Sequence, residues 1–406
     1  MKTRIYRILC TYLCYCSLCI ACSNGDTPDA PQKDNNPTQE EQPGNSNDVN
    51  KIEYDDGEQL IFNVKIAIDK EGLDFKNGDL EWFKENLKKQ WGAINERFNA
   101  LDKKNLLERT YRFIPDLEDI WVYSREECPS DINLNDFHWN IPKIYDKKGK
   151  LDKTKFQCCV VYDFMAQSGE GSGGCGDYEG ISNILVIHTG DNKFTNHFDN
   201  ASYGTESITH ELGHFRGLID TYTHSVSAQD NPISHTAFTP ETGNMNNCYP
   251  SIEEEAAVWN QYEAKVLNVN KSRKLLNLIS VTMRDYFADG IEIAATMNGT
   301  PVTESITVNF YDASGHKVKT DAIKEKSKVS DNGTITIDAY DLFWKDNKDL
   351  YPWAYYDIFL VEVITESGHK GYAFLPNYHV HEQGLSDKSN PDFQGRSIFK
   401  LSIKIV

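Results

Sequence analysis

Between residues 210 and 220 the chain reads HELGHFRGLID. On an α-helix His210 and His214 are four positions apart, so both imidazoles leave one face about one turn from each other. Two neutral imidazoles so placed bind Zn2+, and Glu211 stands beside them to take a proton from an attacking water. The same few residue types also meet by chance on solvated helices, so the continuation carries the weight. Gly217 comes three residues after His214. The helix has to end there, and glycine accepts the positive φ that such an ending needs. Asp220 follows after three more residues, where the turned chain can bring its carboxylate back towards the histidines.

The string His210-Glu211-x-x-His214-x-x-Gly217-x-x-Asp220 resembles the extended zinc motif of the metzincin metallopeptidases. Most members of that family carry a third histidine at the position of Asp220; a smaller, snapalysin-like group carries aspartate. A second marker agrees. Gly243-Asn244-Met245-Asn246 places a methionine 25 residues past Asp220, at the family's usual separation for its Met-turn, an apolar floor beneath the metal. The resemblance covers residues 60–265. It implies one catalytic Zn2+ held by His210, His214 and Asp220, with Glu211 as general base. His224, in the same loop, is the alternative third ligand. Some members use a tyrosine after the Met-turn to stabilise the oxyanion. Tyr249 lies four residues past Met245 rather than the usual two, so packing is its plainer role. A site completed by Glu241 or a glutamate among 253–255 would leave Gly217 and Met245 without a purpose.

Outward from the motif, the pattern on its N-terminal side is α+β. Residues 60–68 (LIFNVKIAI) are apolar and β-branched, a first strand. Leu80, Phe83, Leu87, Trp91, Ile94 and Phe98 recur every three or four positions and predict a long amphipathic helix over 79–101, with Asp79 as N-cap. Short strands are expected at 111–114 and 120–123. Residues 156–165 and 183–188 are apolar enough for central strands covered on both faces. This gives a mixed-sheet, metzincin-like catalytic domain over 51–270. On the C-terminal side, strand-like runs at 291–297, 305–311, 334–338, 357–364, 371–375 and 397–405 alternate with Asn-Gly and Ser-Gly turns. No long helical period is evident there, and 271–406 is expected to be an all-β, immunoglobulin-like sandwich.

The first 22 residues have a basic start (Lys2, Arg4, Arg7) and an apolar stretch ending at Ala21-Cys22. The apolar part is too short to span a bilayer, which takes ~20 residues, and reads as an export signal. Its ending, Leu18-Cys19-Ile20-Ala21-Cys22, resembles a bacterial lipoprotein signal, with Cys19 where leucine is usual. That resemblance implies a signal peptide over 1–21, lipid on Cys22 and a place in the cell envelope, at the outer membrane or cell surface. Residues 23–50, rich in Asn, Asp, Pro, Gln and Gly, cannot bury enough surface to fold and form a tether. The 61 acidic against 42 basic residues give a formal charge of −19, which repels phosphate backbones and argues against nucleic acid as a partner. Protein or peptide substrates outside the cytoplasm are the expected partners. Past residue 22 the cysteines are Cys128, Cys158, Cys159, Cys175 and Cys248, an odd number whose pairing the spacing leaves open.

Three other patterns weigh less. Gly169-x-Gly171-x-x-Gly174 matches a dinucleotide fingerprint, but no helix opens behind it. In the metzincin resemblance Gly169 to Gly180 is instead the edge strand that borders the substrate cleft. His379-x-His381 lacks a third ligand at a supporting spacing and reads as an exposed polar loop. The other function class is a surface-binding or adhesion lipoprotein with a structural or inactive zinc site; intact Glu211 argues against it.

Overall fold

The computed structural model describes residues 59–74, 77–99, 106–152, 154–163, 171–178, 181–188, 201–246, 258–270, 278–344 and 355–406. Cys22, the signal and tether around it, and Tyr249 lie outside these residues. The described residues are mixed α/β, with three sheets among them. Two compact units form, one from the described residues of Met1–Trp91 and Arg109–Ala201, the other from those of Gly92–Glu108 and Ser202–Val406.

The first unit holds a six-stranded sheet made of β1 (Gln59–Asp69), β2 (Thr110–Pro115), β3 (Trp121–Tyr123), β4 (Cys158–Asp163), β5 (Gly171–Tyr178) and β6 (Ile181–His188), in the order β2-β1-β4-β6-β5 with β3 also on β1. Helices α1 (Lys70–Asp74), α2 (Leu80–Asn99) and α3 (Ile141–Lys147) connect them. All pairings are parallel except that of β5 with β6. The apolar run of β4 is buried along its whole length because both faces of a parallel sheet are covered. Alternate residues report the two coverings. Cys159 and Val161 pack with Trp121, Phe137, Ile141 and Tyr145. Tyr162 points the other way, receives a hydrogen bond from Trp91 Nε1 on α2 and donates one to Gln90 Oε1. The glycine-rich segment is the antiparallel edge strand β5, with register shifts near Gly173 and Gly176.

The second unit contains α4 (Ala201–Phe215), α5 (Gln261–Val269) and α6 (Leu278–Tyr286), then β7 (Gly290–Met297), β8 (Thr300–Pro301), β9 (Ile306–Asp312), β10 (Lys328–Ser330), β11 (Thr334–Asp338), α7 (Ala339–Phe343), β12 (Ile358–Thr365), β13 (Lys370–Pro376), α8 (Asn377–Lys388) and β14 (Ile398–Ile405). One four-stranded sheet runs β10-β9-β12-β13; the other runs β11-β7-β14, with β8 on β7. The expected break between Asn270 and Lys271 falls inside this unit.

Two expectations for this region are corrected. Helices occur beyond residue 271, and His379-x-His381 lies on α8 rather than in an exposed loop. The buried face of α8 consists mainly of Asn377, Tyr378, His381, Gly384 and Leu385, too few of them aliphatic to give a hydrophobic period. A Cβ on Gly384 would collide with the carbonyl of Tyr286, so the glycine lets α8 approach the end of α6. His381 is fully buried; it accepts from the Tyr262 hydroxyl at Nδ1 and donates from Nε2 to Thr282 O. Among the described residues no helix is long and apolar enough to cross a membrane.

Candidate metal centre

Helix α4 ends as its sequence demands. Gly217 has φ +95°, its N–H donates to His214 O, and Leu218 N–H donates to Gly213 O. Those two bonds make a Schellman ending, which satisfies carbonyls the helix would leave bare. The turn also aims Leu218 O at His214, whose Nδ1 donates to it at 2.8 Å. His210 Nδ1 donates to Asn244 O at 2.9 Å. A carbonyl can only accept, so both Nδ1 atoms carry protons and both Nε2 atoms are left to act as ligands.

Both Nε2 atoms converge on one carboxylate oxygen. His210 Nε2 and His214 Nε2 are each 3.1 Å from Asp220 Oδ1. The three ligand atoms lie within 4.8 Å of one another. His214 Nε2 and Asp220 Oδ1 are buried and face each other, with no further polar partner among the described residues except His210 Nε2. Zinc bonds of ~2.0–2.2 Å in tetrahedral array set ligand atoms about 3.3–3.6 Å apart, so this donor set fits the ion. Burial pushes the His214 imidazole down, but the Asp220 carboxylate overrides it and lifts the group to about 9. His210 is raised for the same reason. Burial acts against the Asp220 carboxylate as well, but the two imidazoles hold it far below the usual range. A divalent ion held here would take the place of those protons, so its binding would release them. Glu211, on the same helix turn, is buried.

Met245 is fully buried beneath α4. A Cβ on Gly213 would stand 2.8 Å from its Sδ, so the glycine between the two histidines is what admits the methionine. Met245 O accepts from Thr221 N and Tyr222 N, directly after Asp220. The Tyr222 ring is near-parallel to His210 at 6.3 Å.

His224 is placed elsewhere. It is fully buried, its Nε2 donates to Asn377 Oδ1 at 2.9 Å, and its ring is edge-on to Tyr378. The structure therefore brings Asp220, and not His224, to the two histidines. Glu241 is exposed and apart from the cluster. The glutamates among 253–255 and the side chains of Cys175, His188 and Cys248 lie outside the described residues.

One buried carboxylate escaped the sequence reading. Glu263 is completely buried on α5 and accepts from Asn244 N, Met245 N and Asn260 N. Burial pushes it up to about 7 against the pull of those three donors. Asn260-x-x-Glu263 is a capping-box pattern, a signal that was present in the sequence.

No protein-family model matches the chain, and no curated protein matches it. Among solved structures, 36 chains match. One, described as the structure of a chaperone-substrate complex, is 10% identical over 41% of this chain and 26% of its own, with a TM-score of 0.29. This chain thus spans about a quarter of that chain's length, and so slight a likeness carries no argument about fold or function.

Proposed function

We propose that the protein is an exported, lipid-anchored zinc endopeptidase of metzincin-like architecture, with an immunoglobulin-like arrangement of β7–β14. The observation that carries this reading is the convergence of His210 Nε2 and His214 Nε2 on Asp220 Oδ1, with both Nδ1 atoms pinned by carbonyls. A zinc ion held by these residues supplies Lewis acidity for attack on an amide.

The chain's own groups account for the remaining steps. His210 and His214, as neutral imidazoles, and Asp220 would hold the ion, and the carboxylate would lower the net charge of the site. Glu211 takes a proton from the attacking water and returns it to the leaving amine. Extended protein or peptide segments outside the cytoplasm are its substrates. The formal charge of −19 disfavours strongly acidic substrates, weakly at physiological salt where the Debye length is ~8 Å. Lipid on Cys22 holds the protein at the bacterial cell envelope.

The test is a peptide library incubated with the zinc-loaded protein and with Glu211→Gln, cleavage being read by mass spectrometry. The amide keeps the shape of the glutamate and cannot take the proton. Cleavage should fall by about two to four orders of magnitude while zinc stays bound. An unchanged rate would remove Glu211 from the chemistry.

A further inference from the structure

Glu263 makes more bonds than a helix cap requires. A capping box needs only Asn260 N donating to its Oε2, at 2.9 Å, and Glu263 N donating in turn to Asn260 Oδ1. The same carboxylate also reaches across to another segment, where Oε1 accepts Met245 N at 2.9 Å and Oε2 accepts a share of Asn244 N at 3.2 Å, whose shorter bond, 2.9 Å, goes to Val258 O. Gly243 lies flat against it; a Cβ there would collide with both carboxylate oxygens. A fully buried carboxylate is costly to desolvate, and these three backbone donors are what offset the cost.

The turn so held faces the metal motif with both of its carbonyls. Asn244 O accepts His210 Nδ1–H. Met245 O accepts Thr221 N at 3.0 Å and Tyr222 N at 3.3 Å, fixing the chain just after Asp220. We propose that Glu263 is a positioning residue of the metal centre, holding turn 243–245 so that one carbonyl orients His210 and the next places Asp220. The proposal rests on the metal-centre reading above. A glutamine cannot take over the role, because it offers one oxygen and turns an N–H2 group towards backbone donors.

The experiment compares the parent protein, Glu263→Gln and Asn260→Ala. Asn260→Ala removes the side-chain cap but leaves Glu263 on the turn, so it controls for loss of stability alone. Zinc affinity is read by competition with a chromophoric chelator, the site's geometry by the visible spectrum of the cobalt(II) form, and folding by circular dichroism. Glu263→Gln should bind zinc about 10–100-fold more weakly and shift the cobalt spectrum, as loss of a group orienting a ligand does elsewhere. Asn260→Ala should melt earlier with parent affinity and spectrum. If Glu263→Gln does not fold, Gly243→Ala carries the same expectation, since its methyl group displaces the carboxylate.

Parent-like affinity and spectrum in Glu263→Gln would overturn the proposal, and so would the same losses in Asn260→Ala. Failure of both Glu263→Gln and Gly243→Ala to fold would mark Glu263 as a residue of the fold alone, and would overturn it too. A parent that binds no zinc would instead sink the metal-centre reading, and this proposal with it.

Discussion

Two buried histidines of the second unit are driven in opposite directions by what stands beside them. His214 faces the Asp220 carboxylate and is lifted to about 9. His381 has the Tyr262 hydroxyl and the Thr282 carbonyl as partners, and burial pushes it down to about 3. An unfolded histidine titrates near ~6.5. For His381, between about 3 and ~6.5 only the unfolded chain takes up the proton, so stability falls as pH drops below ~6.5, by at most ~1.4 kcal/mol per unit. Above ~6.5 the contribution is fully present. Urea unfolding at pH 7 and pH 5 should therefore show the parent losing about 2 kcal/mol more than His381→Gln. Equal losses in the two proteins would mean that His381 is not held neutral in the fold.

At the scale of elements, the ending of α4 ties backbone conformation to chemistry. Gly217 at φ +95° lets Leu218 O meet His214 Nδ1. Gly217→Ala should cost about 1–2 kcal/mol for a left-handed residue with a Cβ. It should also weaken zinc binding by roughly 10–100-fold as that carbonyl shifts. Thermal melting of the metal-free form and chelator competition would measure both; unchanged affinity would separate the turn from the site. This ending was legible in the sequence because the need for glycine is local. So were β1, β4, β6 and α2, whose apolar runs are long and whose periods are strong. Helix α8 was not legible, since its packing face mixes Asn377, Tyr378, His381 and Gly384 with only two aliphatic residues, Val380 and Leu385, and so carries a weak aliphatic signal. Glu263 was half legible: Asn260-x-x-Glu263 announces a helix start, but only the folded chain brings residues 243–245 onto that carboxylate.

For the molecule as a whole, the metal motif and the C-terminal strands belong to one unit. The loop after Asp220 lies on the sheet of β9, β12 and β13: Val226, Ile233 and Phe238 pack with Tyr311, Leu360, Tyr372 and Phe374. His224 is tied to Asn377 at the start of α8. The change of texture near residue 270 is a local property of the sequence and does not register such long-range packing. A chain truncated after Asn270 should accordingly lose both its cooperative melting transition and its zinc; a truncated chain that melts cooperatively and keeps zinc would make the C-terminal part dispensable to the site. The most direct measurement of the central claim is the zinc content of the parent, His214→Ala and His224→Ala, by plasma mass spectrometry after zinc supplementation and dialysis. The expected result is about one zinc per chain in the parent and in His224→Ala, and almost none in His214→Ala. A parent well below half an equivalent, or a His214→Ala protein that keeps its zinc, would contradict it.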